Sequence, residues 1–254
     1  MPENELDDAL LERYARHLIL KEFGFDAQEI LNKKKLLMVG AGGLGASALM
    51  FLASSGIGHI GIIDDDVVSL SNLQRQLLYT QDDISKPKCL IAKERLEQIN
   101  QHLNYMVYYQ PCNDEFAKSH FTEYDIICDG SDNYATRILV NRYAMTYKIP
   151  LVSAAIVGFE GQISVFDHNH GSGCYQCLYP KMPDMRNIPR CDTVGVFAPI
   201  AGILGAMMAS EAIKVIANIG DNLIGKLWLM DILQMRQQVI AIPRDKNCDI
   251  CRKL

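Results

Sequence analysis

The apolar positions divide the chain into stretches of different period. Leu6, Leu10, Leu11, Tyr14 and Leu18 recur at helical spacing and predict an amphipathic helix over 5–21. Its other face carries Arg13 and Arg16, which charge patterning alone reads as a solvated face. Asp26-Ala27-Gln28-Glu29 has the form of a capping box opening a second, short helix. The pattern then changes. Leu36-Leu37-Met38-Val39 is a continuous apolar run that breaks into Gly40-Ala41-Gly42-Gly43-Leu44-Gly45 and resumes as a small-residue helix over 46–55. That order reads as buried strand, tight turn, helix.

The same alternation continues. His59-Ile60-Gly61-Ile62-Ile63 is a second strand, and Lys86-Pro87-Lys88 opens a helix reaching about residue 99, with Pro87 at an early, tolerated position. Strands over 105–109 and 124–128, a helix over 133–147 and a strand over 151–155 carry on the β/α alternation. This predicts an α/β fold, a doubly wound, mostly parallel, Rossmann-like sheet. From Gly158 the character shifts. Gly161 to Phe166 alternates like an antiparallel strand, residues 179–192 form a proline- and charge-rich loop, and an apolar helix spans about 199–218. Leu227–Met230 and Gln238–Ile242 predict a final strand pair, a C-terminal antiparallel extension. We expect one domain over 1–254. It comprises an N-terminal helical arm (1–35), a nucleotide-binding core (36–157) and a C-terminal portion (158–254).

Glycines 40, 42 and 45 fit G-x-G-x-x-G, and Asp64 ends the next strand at the distance where such turns place a ribose-binding acid. The turn says "nucleotide" and leaves NAD and ATP both open. Past Asp64-Asp65-Asp66 lies the polar cluster Ser71-Asn72-Leu73-Gln74-Arg75-Gln76, beyond a strand's carboxyl end, where open α/β sheets bind ligands. Ser71 is placed to cap a short helix on which Asn72 and Arg75 share a face. Lys88 reads as a first-turn surface lysine that opposes the helix dipole, which hints at an anionic ligand. Asp132 is placed either to cap the helix over 133–147 or to hold a metal ion.

Composition narrows the class. A hydrophobic fraction of 49% and a charged fraction of 22% describe an ordinary soluble globular chain. A net charge of −5 without any basic block argues against nucleic acid. The acidic N-terminus lacks an apolar signal segment, and the least polar run, 194–209, carries Pro199 and glycines and suits a buried helix better than a membrane span. A cytoplasmic protein is expected. Four of the eight cysteines form two C-x-x-C pairs, Cys174/Cys177 and Cys248/Cys251. Two such knuckles can supply the four thiolates of a structural zinc; a redox dithiol is the competing reading. Cys191 ends the charged loop beside Arg186 and Arg190, whose charge favours a nucleophilic thiolate; a spare cysteine is the alternative.

Taken together, Arg13-Tyr14-Ala15-Arg16, the Gly40–Gly45 turn, Asp64, Ser71 to Gln76, Lys86-Pro87-Lys88, Asp132-Asn133 with Arg137, both C-x-x-C pairs and Cys191 resemble the MoeB/ThiF family, bacterial relatives of ubiquitin-activating enzymes. The matches run in order over nearly the whole chain. The resemblance implies an adenylyltransferase that uses ATP and magnesium to adenylate the C-terminal glycine of a small ubiquitin-fold sulfur-carrier protein. Gly40, Gly42 and Gly43 would seat the nucleotide and Asp64 would hold the ribose. Asn72, Arg75 and Lys88 would grip the phosphates, Asp132 would hold magnesium, and Ser71 and Asn133 would belong to the same cofactor-binding set. Arg16 would reach into the site of a second copy, implying a homodimer, and the four paired cysteines would hold zinc. Cys191 would take part in the sulfur chemistry. A carrier of molybdopterin biosynthesis (MoeB-like) is expected, with the thiazole carrier of thiamine biosynthesis (ThiF-like) as the alternative. A separate sulfur donor, such as a cysteine desulfurase, is expected because the chain stops at the last cysteine pair. An NAD-dependent oxidoreductase is the remote alternative: the turn and Asp64 permit it, but no histidine sits in a hydride-transfer motif.

Overall fold

The structure is a computed structural model that describes residues 7–180 and 194–253. The core is one eight-stranded sheet. Its strands are β1 (Lys35–Val39), β2 (His59–Ile63), β3 (Asn104–Tyr108), β4 (Ile126–Asp129), β5 (Leu151–Val157), β6 (Glu160–Phe166), β7 (Lys226–Asp231) and β8 (Arg236–Ala241). They lie in the order β3-β2-β1-β4-β5-β6-β7-β8. The first five are parallel, and β5 to β8 pair antiparallel, so the predicted doubly wound sheet with an antiparallel extension is what forms.

The helices are α1 (Asp8–Leu18), α2 (Gly24–Lys33), α3 (Gly43–Ser55), α4 (Lys88–Ile99), α5 (Asp114–His120), α6 (Tyr134–Tyr147), α7 (Tyr175–Leu178) and α8 (Ala198–Ala217). Both sheet faces are covered, which is why β1 reads as an unbroken apolar run. Leu36 and Met38 point to the core shared with α3, α4 and α8, while Leu37 and Val39 point to the core shared with α5 and α6. The apolar helix α8 buries Ile200, Leu204 and Met208 and packs along α3. Gly205 permits that approach: a Cβ there would lie 2.5 Å from the Ser47 side chain. A buried carboxylate, Glu211, sits within this helix and accepts the Leu223 N–H at 2.8 Å.

Several local expectations shift. The first helix begins at Asp8, capped by Asp7, whose side chain accepts the Leu10 N–H at 2.9 Å. The second begins at Gly24, so Asp26 lies in its first turn rather than at its cap, where its charge still suits the dipole. Ser71 does not cap the short turn after β2. Ser69 does so, in a reciprocal capping box with Asn72. Pro87 is the N-cap residue of α4, and Asn133, not Asp132, caps α6 by accepting the Thr136 N–H at 2.8 Å. That leaves Asp132 out of the capping arrangement.

Between β1 and β4 the winding direction reverses, and the backbones there come very close. Gly40 adopts φ +85°, and a Cβ on it would lie 3.3 Å from Gly130 C and Ser131 N. A Cβ on Gly45 would lie 1.8 Å from the Gly40 carbonyl oxygen. The Gly45→Ala variant is therefore expected to lose about 3 kcal/mol or more of stability through overpacking. Gly202→Ala, where no atom lies within 4 Å of the new methyl, should hold or raise the thermal midpoint. Thermal melts of the two variants side by side check this.

Candidate active site

A cavity of about 1050 Å³ opens at that reversal point, over the carboxyl ends of the parallel strands, where open α/β sheets place ligands. One wall is the glycine turn, with Gly40, Gly42 and Gly43. Ala41 is held from both sides: its N–H donates to Asp64 Oδ2 at 2.7 Å, and its carbonyl accepts the Tyr79 hydroxyl at 2.8 Å. Asp64 Oδ1 also accepts the Asp66 N–H at 2.8 Å. Burial raises the Asp64 carboxyl above its ordinary range, against the nearby Lys88 charge and these two N–H groups. The carboxylate thus stiffens the turn while remaining on the cavity wall.

The cations that line the cavity are Arg75, Lys88, Arg137 and Arg236. Lys88 is not a surface lysine. Its side chain is 5% exposed, and its ammonium donates to Asp66 Oδ2 at 2.8 Å, while Asp66 itself is 74% exposed. Sequence alone misplaced Lys88 because its partner Asp66 lies 22 residues away. Arg75 donates to the Ser71 carbonyl at 3.1 Å and keeps its stem near Gly43. The facing wall is Gly130, Ser131, Asp132, Asn133 and Arg137. Arg137 donates to the Ser131 carbonyl from Nε at 3.2 Å and Nη2 at 2.6 Å.

Not every sequence-derived residue reaches the cavity. Ser71 turns its hydroxyl to Ser69 at 3.0 Å, and Asn72 Oδ1 accepts the Ser69 N–H at 3.2 Å. Both serve the turn that carries Arg75 rather than lining the wall. Arg16 is exposed on α1 and lies outside its own chain's cavity. Cys191 falls outside the described residues. Conversely, the wall includes groups that carry no local motif: Gln162, Tyr175, Tyr179, Asp231 and Arg236, from the antiparallel half. Tyr179 donates to Gln162 Oε1 at 2.8 Å, so the cavity runs on from the parallel ends across β6 and β7. Cys112 also lines it, its thiol pushed up to about 12 by burial and by Asp129.

The second constellation is the cysteine set. Cys174, Cys177, Cys248 and Cys251 bring their sulfurs within 4.8 Å of one another. Three neighbouring Sγ pairs stand at 3.9, 3.7 and 3.5 Å. Tetrahedral thiolates at the ~2.3 Å zinc–sulfur distance sit about 3.8 Å apart, so the donor set fits that ion. The Asp245 N–H donates to Cys177 Sγ at 3.4 Å, a contact that suits a thiolate. The cluster ties the last turn of the chain to α7.

A doubly wound sheet with a glycine turn, cationic groups and an acid converging at its reversal point defines a nucleotide-binding α/β protein. The sequence matches the ThiF family over residues 14–251, and the chain belongs to that family. It is 40% identical to the "Sulfur carrier protein adenylyltransferase" of Thermus thermophilus, covering 95% of this chain and 90% of that one. It is 38% identical to the "Molybdopterin-synthase adenylyltransferase" of Escherichia coli, covering 97% and 98%. The fold resembles that in "Crystal structure of E. coli MccB + MccA-N7isoASN", with TM-score 0.83, 23% identity and coverage of 98% of this chain and 76% of that one.

The Lys88–Asp66 pair generates a test. Asp66→Asn removes the carboxylate that an incoming anion must displace from the ammonium. The gain should be roughly 0.5–1 kcal/mol, typical of one exposed partner, or about two- to fivefold tighter binding of inorganic pyrophosphate. Calorimetric titration measures it; unchanged affinity would show that Asp66 does not compete.

Proposed function

We propose that the protein is an adenylyltransferase that activates the C-terminal carboxylate of a small ubiquitin-fold sulfur-carrier protein with ATP, releasing pyrophosphate. The carrying observation is the shape of the cavity. A glycine turn, Arg75, Lys88 and Asp132 line it beside the parallel strands, and the lining continues through Gln162, Tyr175, Tyr179, Asp231 and Arg236 of the antiparallel half. A nucleotide alone does not need the second half, whereas a peptide tail does. Membership of the family and the names of the full-length relatives support the same reaction.

In this reading ATP lies with its phosphates over Gly40, Gly42 and Gly43, whose lack of side chains admits them, and with its ribose toward Asp64. The carrier's terminal glycine carboxylate enters across β6 and β7. One of its oxygens attacks the α-phosphorus, the bond to the β-phosphate oxygen breaks, and pyrophosphate leaves with that electron pair. Both reactants are anions, so the rate depends on positioning and on fixed positive charge at the phosphate oxygens. Arg75 and Lys88 supply that charge from one wall and Arg137 from the other. Asp132, free of the helix cap, would hold magnesium with Asn133 beside it, and magnesium would neutralise charge on the phosphates. Asn72 and Ser71 act by shaping the turn under Arg75.

Arg16 belongs to the proposed homodimer. Its exposed position, with Ile19 73% and Leu20 50% exposed just beyond it, supports a role on a neighbouring copy rather than on its own site. The molybdopterin-type carrier is the proposed substrate, with the thiazole-type carrier as the alternative. A separate sulfur donor such as a cysteine desulfurase would then supply sulfur to the acyl-adenylate, and Cys191 would serve that later chemistry.

Carrier-dependent exchange of labelled pyrophosphate into ATP tests the reaction. Arg75→Ala and Asp132→Ala should each lower it about a hundredfold or more, the scale of losing one fixed charge at a developing oxyanion. Wild-type-like exchange by either variant would overturn that residue's role. Metal analysis should find one zinc per chain, and chelation should lower the thermal midpoint and expose the C-terminal tail to protease. A metal-free protein with four titratable thiols at these positions would sink the zinc assignment.

A further inference from the structure

Asp129 closes β4 directly beneath the wall that carries Asp132, yet it does not line the cavity. It is fully buried, with 0% exposure. A carboxylate in such a place is costly unless its oxygens are used. One is used: Oδ1 accepts the Ser131 N–H at 3.0 Å. The other, Oδ2, has no hydrogen-bond partner among the described residues. From the opposite side, Arg137 donates two hydrogen bonds to the Ser131 carbonyl, at 3.2 and 2.6 Å. Ser131 is therefore gripped at its N–H by an acid and at its carbonyl by a base.

The residue so gripped is the one before Asp132. The turn has no slack behind it either. The Gly130 N–H donates to the Val39 carbonyl at 3.0 Å, and Gly130 lies against Gly45 and Leu44, where an added Cβ would stand 3.2 and 3.3 Å from the nearest atoms. Asp132 itself makes no side-chain hydrogen bond among the described residues; its direction is inherited from the backbone behind it. A buried acid retained at this cost, aimed at a single N–H, has the geometry of a second layer that orients a ligand of the first.

We infer that Asp129 is a positioning residue for the reaction. By holding the Ser131 N–H, it sets the Gly130–Asp132 turn so that the Asp132 carboxylate meets the magnesium of the bound nucleotide, without touching nucleotide or metal itself. This rests on the proposal that Asp132 is a magnesium ligand.

Two variants separate position from charge. Asp129→Asn keeps an acceptor oxygen where Ser131 needs it and removes the charge. Asp129→Glu keeps the charge and pushes the acceptor out by one methylene. The readout is the free magnesium concentration giving half-maximal carrier-dependent pyrophosphate exchange, with thermal melts establishing that each variant is folded. We expect Asp129→Glu to raise that concentration about tenfold, the scale of disturbing a ligand's supporting contact, and Asp129→Asn to stay within about threefold of wild type. A glutamate variant that matches wild type, or an asparagine variant shifted as far as the glutamate one, would overturn the inference. So would a fall in thermal midpoint with unchanged magnesium response in both, which is the result of a purely structural role. Asp132→Ala serves as reference. If it leaves the magnesium response unmoved, the assignment of Asp132 fails; if it shifts the response and Asp129→Glu does not, only the role given to Asp129 fails.

Discussion

The site depends on a near-contact between two stretches of backbone. The glycine turn after β1 and the Gly130–Ser131 turn after β4 touch without side chains between them: a Cβ on Gly40 would stand 3.3 Å from Ser131 N. A close approach of this kind is available only to glycine, and it brings two ligand-facing walls to the reversal point of the sheet. Neighbouring strands lie about 4.8 Å apart, so walls borne on adjacent strand ends can grip one phosphate chain together. Side chains at these glycines would push the walls apart.

Around that contact, polar groups fix what the backbone leaves soft. Asp64 and Tyr79 hold the two ends of Ala41, while Asp129 and Arg137 hold the two ends of Ser131. In each case a buried or half-buried acid accepts from a backbone N–H, which offsets part of the cost of burying it. Burial raises the Asp129 carboxyl above its usual range, opposed by the adjacent Arg137 charge and by Ser131. The two turns are thus stiffened by side chains of which Asp64 and Arg137 also line the cavity, while Asp129 does not. Preorganisation of this sort is where electrostatic catalysis gets its advantage over water.

The antiparallel half and the cysteine cluster serve a different end. β6 to β8 extend the sheet past the nucleotide end of the cavity and supply Gln162, Asp231 and Arg236 to its wall. The cysteines hold the last turn of the chain against α7, which packs beside α6 through Tyr134 and Tyr175. A tetrahedral ion there would fasten the tail to the element leading into the 181–193 segment, and so to the edge of the cavity.

Much of this was legible without coordinates. The unbroken apolar run of β1, the glycine spacing and the acid ending β2 are local signals, because a strand buried on both faces and a turn that must approach phosphate each dictate residue type within a few positions. The paired cysteines were legible for the same reason: a knuckle is local, and two of them complete a tetrahedron. Sequence could not decide which polar group faces which. Asn72 joined Ser69 in a cap, Ser71 turned its hydroxyl to Ser69, and Lys88 was paired with Asp66. Asp129, with no motif to mark it, lies under the turn that presents Asp132. The Lys88–Asp66 pair spans 22 residues and is set by packing, whereas the Ser69–Asn72 cap and the Asp129–Ser131 contact close within two or three residues, through turn geometry that no residue pattern marks. The sequence by itself determined the strand-turn-helix order and the chemistry of the turn; the tertiary structure decided which charges meet, because a hydrogen bond is satisfied by whatever neighbour the fold brings within about 3 Å.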